Sequence, residues 1–138
     1  MAPKSKVEKK ASEILLATMC SFLRQGLEEV SLPLLIEYIM ELKKQLPIKY
    51  RFYEECFFSP DLFSDLNQLS FQGYLQRYEY TQDAFLPKTF YKLTLLGTGQ
   101  GSKILELLPQ ENTDLMKNVV SLSISNDKRR WEPYRRQL

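Results

Sequence analysis

The sequence predicts a single α+β domain, on three observations. Apolar residues recur at helical spacing in three consecutive stretches that end by Gly73. Two β-prone segments, Tyr74–Tyr80 and Thr89–Thr94, then face each other across an eight-residue loop, "TQDAFLPK". Helical spacing returns after them and runs to Leu108. A length of 138 residues fits one domain, and 43% apolar with 26% charged residues is enough for a real core.

Taken in order, the first helix is expected from about Lys6 to Gln25, carried by Val7, Ala11, Ile14, Leu15, Met19, Phe22 and Leu23, with Gly26 as its left-handed cap. "SLPLLIEYIMELKKQL" predicts the second: Ser31 caps, Pro33 suits a first turn, Leu32, Leu35, Ile36, Ile39, Leu42 and Leu46 share a face, and Pro47 stops it. "IKYRFYEECFF" is expected as extended or irregular chain. The third helix has the clearest start. Ser59 caps it, Pro60 brings a pre-set φ to its first position, and Asp61 meets the positive helix end. Leu62, Leu66 and Leu69 form its buried stripe, and Gly73 closes it. After the two strands and the helix to Leu108, "NTDLMKNVVSLSIS" is expected to add a helix capped by Asn112 or Thr113. "NDKRRWEPYRRQL" has no periodicity and is expected as a tail. The domain plan is thus a basic arm over 1–10, the folded domain with its helical extension over 11–126, and a basic tail over 127–138.

Composition excludes much chemistry. The chain has no histidine, which removes His-based general bases, Ser-His and Cys-His dyads and the commonest zinc ligand. Its two cysteines, Cys20 and Cys56, sit among apolar residues and are expected as buried thiols. No enzyme, cofactor or metal is expected. No apolar run approaches the ~20 residues of a membrane span, and the basic start lacks a cleavage signal, so a cytoplasmic protein is expected. The net charge of +2 is uneven: residues 1–10 and 127–138 each carry +3, around an acidic body.

"FSPDLFSDLNQLSFQGYL" resembles the third helix and first wing strand of the winged helix-turn-helix superfamily, and "FYKLTLLG" is similar to its second wing strand and closing glycine. The likeness covers roughly Ser12 to Leu108. It implies a winged helix with three N-terminal helices, a two-stranded wing and one or more C-terminal helices. More narrowly, "YRFYEECFFSPDLFSDLNQL" resembles YwgA-like and Panacea-type proteins, small winged-helix families linked with phage defence and toxin neutralisation. Where those families carry Gly-Pro before the third helix, this chain has Phe58-Ser59-Pro60.

"LLGTGQGSKILELL" invites a phosphate-binding reading, but Gly97 and Gly101 are one residue too close for a P-loop, and Ser102 precedes Lys103. The glycines are expected as punctuation. Thr94 is a candidate cap that ends the strand, and Gly99 and Gly101 mark a frayed helix start with Ser102 as the real cap. A winged helix most often binds DNA, and Asn67, Gln68 and Gln72 can read base edges, with phosphate contacts from Arg77, Lys88, Lys92, Lys128, Arg129, Arg130, Arg135 and Arg136. Yet Asp61 and Asp65 have no basic residue near them between Ser59 and Gln76, so this helix is expected to repel a duplex. Asp65 itself is expected on a solvated face. The aromatic candidates for a protein interface are Phe57, Phe58, Phe71, Tyr78, Tyr80 and Phe85, with Trp131 and Tyr134 among the C-terminal arginines. The expected function is a non-enzymatic regulatory module that binds a protein partner or a second copy of itself. DNA-binding transcription regulation through the wing and basic ends is the alternative.

Overall fold

The computed structural model describes residues 10–53, 59–80 and 88–136; at 80, 88 and 126–136 only the backbone is described. The chain is α+β, with the order α1 (Ala11–Arg24), β1 (Glu29–Ser31), α2 (Leu32–Lys43), α3 (Pro60–Phe71), β2 (Leu75–Tyr80), β3 (Lys88–Leu93), α4 (Leu95–Leu107) and α5 (Gln110–Arg136). The three strands form one antiparallel sheet in the order β1-β3-β2, a layout compatible with a winged helix.

α1 is the centre of the core. Ile14 through Phe22 are all buried, so this helix presents no solvated side along its middle. It packs against α3, α4, α5, β1 and β3. A helix apolar on every side is stable only when enclosed in this way. Its end follows the sequence: Gly26 takes φ +92°, Gly26 N donates to the Leu23 carbonyl, and Leu27 N donates to that of Phe22. Gly73 closes α3 in the same manner, at φ +87°, with Tyr74 N donating to the Leu69 carbonyl. α2 begins as expected, its Ser31 hydroxyl accepting from Leu34 N at 3.3 Å.

Strand β1 is an element that the sequence did not predict. It has three residues, of which only Val30 is fully buried, opposite Tyr91 of β3. Three residues are too few to show an alternation, and Ser31 serves at once as the last strand residue and the cap of α2.

The reading of the glycine segment needs correction. Helix α4 begins directly at Leu95 and runs through all three glycines; the cap is Thr94, whose hydroxyl accepts from Gly97 N at 3.0 Å, and not Ser102. Gly97 and Gly101 are buried, and each sits where another backbone comes close. A Cβ on Gly97 would lie 2.0 Å from the Tyr74 carbonyl oxygen, and one on Gly101 would lie 2.8 Å from that of Leu16 in α1. They are packing sites, one helical turn apart on one side of the helix.

The C-terminal part also differs. Helix α5 starts at Gln110, before Asn112 and Thr113, whose amides donate to the Pro109 carbonyl. Its backbone stays helical to Arg136, through the stretch expected as an aperiodic tail. Met116, Val119, Val120 and Ser123 make its buried stripe, and α5 packs on α1 and α2. Gln25 fastens it, donating to the Lys117 carbonyl at 2.9 Å and accepting from the Ser121 hydroxyl at 2.7 Å. Among the described residues no helix is long and apolar enough to cross a membrane.

Candidate interaction surface

α3 carries the residues that sequence singled out for recognition, and local chemistry places it. The Ser59 hydroxyl accepts from Leu62 N at 3.2 Å, and Pro60 fills the first position. Leu62, Leu66 and Leu69 are buried, which turns Ser64, Asn67, Gln68, Phe71 and Gln72 outward. Of these, Phe71 stands out at 89% exposure. Leaving a phenylalanine in water at a helix end forgoes the roughly 1.5–3 kcal/mol that burial contributes.

The two carboxylates of α3 are not the free negative charges that the sequence implied. The strand of chain before the helix takes up both. Asp61 accepts from Arg51 three times, from its backbone N at 3.1 Å, Nε at 3.2 Å and a guanidinium NH2 at 3.4 Å. That guanidinium holds the Asp61 carboxyl below its ordinary range. Asp65 accepts a 2.6 Å hydrogen bond from the buried Tyr50 hydroxyl, so it docks the preceding segment and does not sit on a purely solvated face. Arg51 lies outside the Ser59–Gln76 window in sequence but beside Asp61 in space, and it cancels one of the two charges. The outward side of α3 is therefore close to neutral, and repulsion of a duplex by two free carboxylates no longer argues for itself.

The Tyr50–Asp65 bond is testable as an anchor of this surface. Tyr50→Phe is expected to lower stability by about 1.5 kcal/mol, the lower end for a bond to a charged acceptor because Asp65 stays half in water. Asp65→Asn in a double-mutant cycle with it should show coupling in urea melts. Strictly additive effects would mean that the pair does not act as one contact.

The β2–β3 strand pair is similarly occupied. Arg77 donates to Glu79 at 3.0 Å and lies over the Phe63 ring at 5.9 Å. Lys92 is half-buried, in register with Glu29 on one side and Gln76 on the other. Tyr78 stacks on Phe90 with ring centroids 6.4 Å apart and is half-buried, so this interface candidate serves the sheet. Phe57, Phe58 and Phe85 lie outside the described residues. Tyr80, Lys88, Lys128, Arg129, Arg130, Trp131, Tyr134, Arg135 and Arg136 belong to β2, β3 and α5, and their side chains are likewise not described. Of the expected candidates, the structure brings Asn67, Gln68, Phe71 and Gln72 onto one exposed helix side and leaves Arg77 and Lys92 on the sheet.

Sequence reasoning missed two exposed leucines at the start of α4. Thr94 ties the two helix ends together, its hydroxyl donating to the Gly73 carbonyl at 2.6 Å and its amide to the Tyr74 carbonyl at 3.1 Å. Leu95 and Leu96 follow at once, at 93% and 59% exposure. A helical wheel begun at Thr94 sets Leu95 opposite Ile104 and Leu96 opposite Leu105. Cys20 is buried with its Sγ 3.5 Å from the Ser102 hydroxyl. Among the described residues no three acidic or cysteine side chains gather as a metal site. Compared with protein-family models, with curated proteins and with solved structures, the chain matches none of them.

Proposed function

We propose that the chain is a non-enzymatic winged-helix module that binds another protein through the outward side of α3, as an adaptor or antitoxin-like regulator would. The order α1-β1-α2-α3-β2-β3 with a three-stranded antiparallel sheet supports the winged-helix reading. The observation that carries the protein-binding reading is the makeup of the exposed α3 residues: three amides, a serine and Phe71, with no cation. Interface cores are depleted in charge and enriched in aromatic residues, with amides at the rim supplying hydrogen bonds. A duplex needs several cations around the inserted helix. The described wing supplies Arg77, already held by Glu79, and Lys92, opposite Glu29.

Two measurements test this. Fluorescence anisotropy against labelled random duplex should show weak binding that collapses between about 50 and 150 mM salt, since each phosphate contact contributes a slope near 0.9 in log affinity. Sequence-selective, sub-micromolar binding that persists at the higher salt would establish the DNA reading instead. Selection from a displayed peptide library should enrich peptides whose affinity falls about tenfold or more with Phe71→Ser, as for a central aromatic anchor. Enriched peptides that bind F71S equally well would place the contact elsewhere.

A further inference from the structure

Among the described residues, nothing packs on the outward side of α4. Its exposed residues are Leu95, Leu96, Gly99, Lys103, Glu106 and Leu107. At 3.6 residues per turn they fall within about 120° of arc. The opposite side, with Gly97, Gly101, Ile104 and Leu105, is buried, and α4 packs on α1 and β3. Leu107 is 69% exposed and lies in line with Leu96, three turns further along the helix. Helix α5 packs on α1 and α2 and leaves this face bare among the described residues. Half of the face is leucine and its two charges cancel, which is the makeup of a contact surface. Gly99 is an independent observation. It lies in mid-helix, and a Cβ there would meet nothing within 4 Å. Glycine weakens a helix, and among the described residues no neighbour requires it; a second helix approaching from outside would.

We infer that this face pairs with a second copy of the same chain, the two α4 helices lying antiparallel about a two-fold axis. The order of residues carries the argument. The face reads leucines at its start, glycine in its middle and leucine at its end. Reversing one helix sets Leu96 of each copy against Leu107 of the other, at two contacts about 16 Å apart. The Lys103 stem then crosses Gly99 of the other copy, and its ammonium reaches water beyond. The same reversal brings Glu106 over the first turn of the other α4, where helix amides are unpaired and favour a carboxylate. A parallel pairing would instead oppose Lys103 to Lys103 and Glu106 to Glu106. A face on a helix of 13 residues falls short of the about 800 Å² per partner of a stable interface, so the dimer is a micromolar, concentration-dependent one. This pairing is separate from binding through α3, since Phe71 and the exposed amides lie on another helix.

Sedimentation velocity of the full chain from about 1 to 300 µM tests it, across the range where an interface of this size associates. A monomer–dimer equilibrium is expected, and Leu96→Lys or Leu107→Glu alone should weaken it by tenfold or more. The double variant L96K/L107E should restore it, because each lysine then meets a glutamate across the axis while the two lie too far apart to pair within one helix. Both positions are exposed, so circular dichroism should stay native in all three variants. Phe71→Ser should leave the dimer unchanged, which separates failure here from failure of the α3 reading. A chain that stays monomeric throughout, a dimer indifferent to both single changes, or a double variant no better than the singles would each overturn the inference.

Discussion

Replacing Gly97 by alanine is expected to lower stability by about 3 kcal/mol or more, beyond the usual cost of an overpacked site. The new methyl would be placed 2.0 Å from the Tyr74 carbonyl oxygen and 3.0 Å from a Leu93 methyl. The carbonyl cannot simply withdraw, because it accepts from the Thr94 amide and from the Thr94 hydroxyl, the bonds that join the end of the sheet to α4. Gly101→Ala should cost less, about 1–3 kcal/mol, since its nearest neighbours are the Leu16 carbonyl at 2.8 Å and the Cys20 Cβ at 3.2 Å, which a small shift between α1 and α4 can relieve. Gly99→Ala should go the other way. With open space around it, the methyl brings only the helix-propensity gain, about 0.5–1 kcal/mol of added stability. Urea melts at low protein concentration, where the chain is monomeric, read all three. Equal signs at 97 and 99 would show that the three glycines are interchangeable and that close packing is not why they stand there.

The same segment shows where sequence is legible and where it is not. Ser59-Pro60-Asp61 and Gly73 define α3 because each acts through the backbone within a few residues, and the stripe Leu62, Leu66, Leu69 fixes which side is buried. Strands β2 and β3 were found for a similar reason, though each begins one residue away from its expected start. Gly101 was misread because propensity counts only what a glycine costs its own helix, and Gly97 because it was read only as the glycine that closes the strand. What they permit, a neighbouring backbone at contact distance, is a tertiary fact. β1 is too short to carry a period, and its single buried residue, Val30, has meaning only beside Tyr91. Asp61 and Asp65 looked unpaired because their partners Arg51 and Tyr50 precede them by ten and fifteen residues in sequence, on a segment without periodicity. The candidate surface of α3 was legible, because the amides and Phe71 follow from its buried stripe, while the separate exposed leucines Leu95 and Leu96 emerge only once Thr94 is known to start α4.

Alkaline unfolding is the second large effect, and its sign follows from the buried phenols. Tyr50 is buried, and its hydroxyl faces the Asp65 carboxylate, with Asp61 further off; burial first, then these charges, push its pKa well above the ordinary tyrosine value. Tyr38 is fully buried against Phe22, with ring centroids 5.3 Å apart; burial raises its pKa, and the nearby Thr18 hydroxyl only partly offsets that. Burial raises Tyr91 as well, against the opposing pull of Arg77. A pKa raised in the folded state means that the native chain keeps a proton that the unfolded chain releases near pH 10. The stabilisation is whole below that pH and is lost as pH rises toward the folded values. Two such tyrosines give a slope of about 3 kcal/mol per pH unit, at 1.36 kcal/mol each, so a domain at the low end of ordinary stability, about 5 kcal/mol, should unfold about two units above pH 10. Urea melts at a series of pH values should give this slope, and Tyr38→Phe or Tyr50→Phe should each roughly halve it after allowance for its own cost at neutral pH. Phenolate absorbance adds an independent readout, because at least two of the eight tyrosines should ionise only as the circular dichroism is lost. All eight titrating while the far-ultraviolet spectrum stays native would mean that Tyr38 and Tyr50 reach water in the folded chain, and the enclosed core around α1 would have to be redrawn.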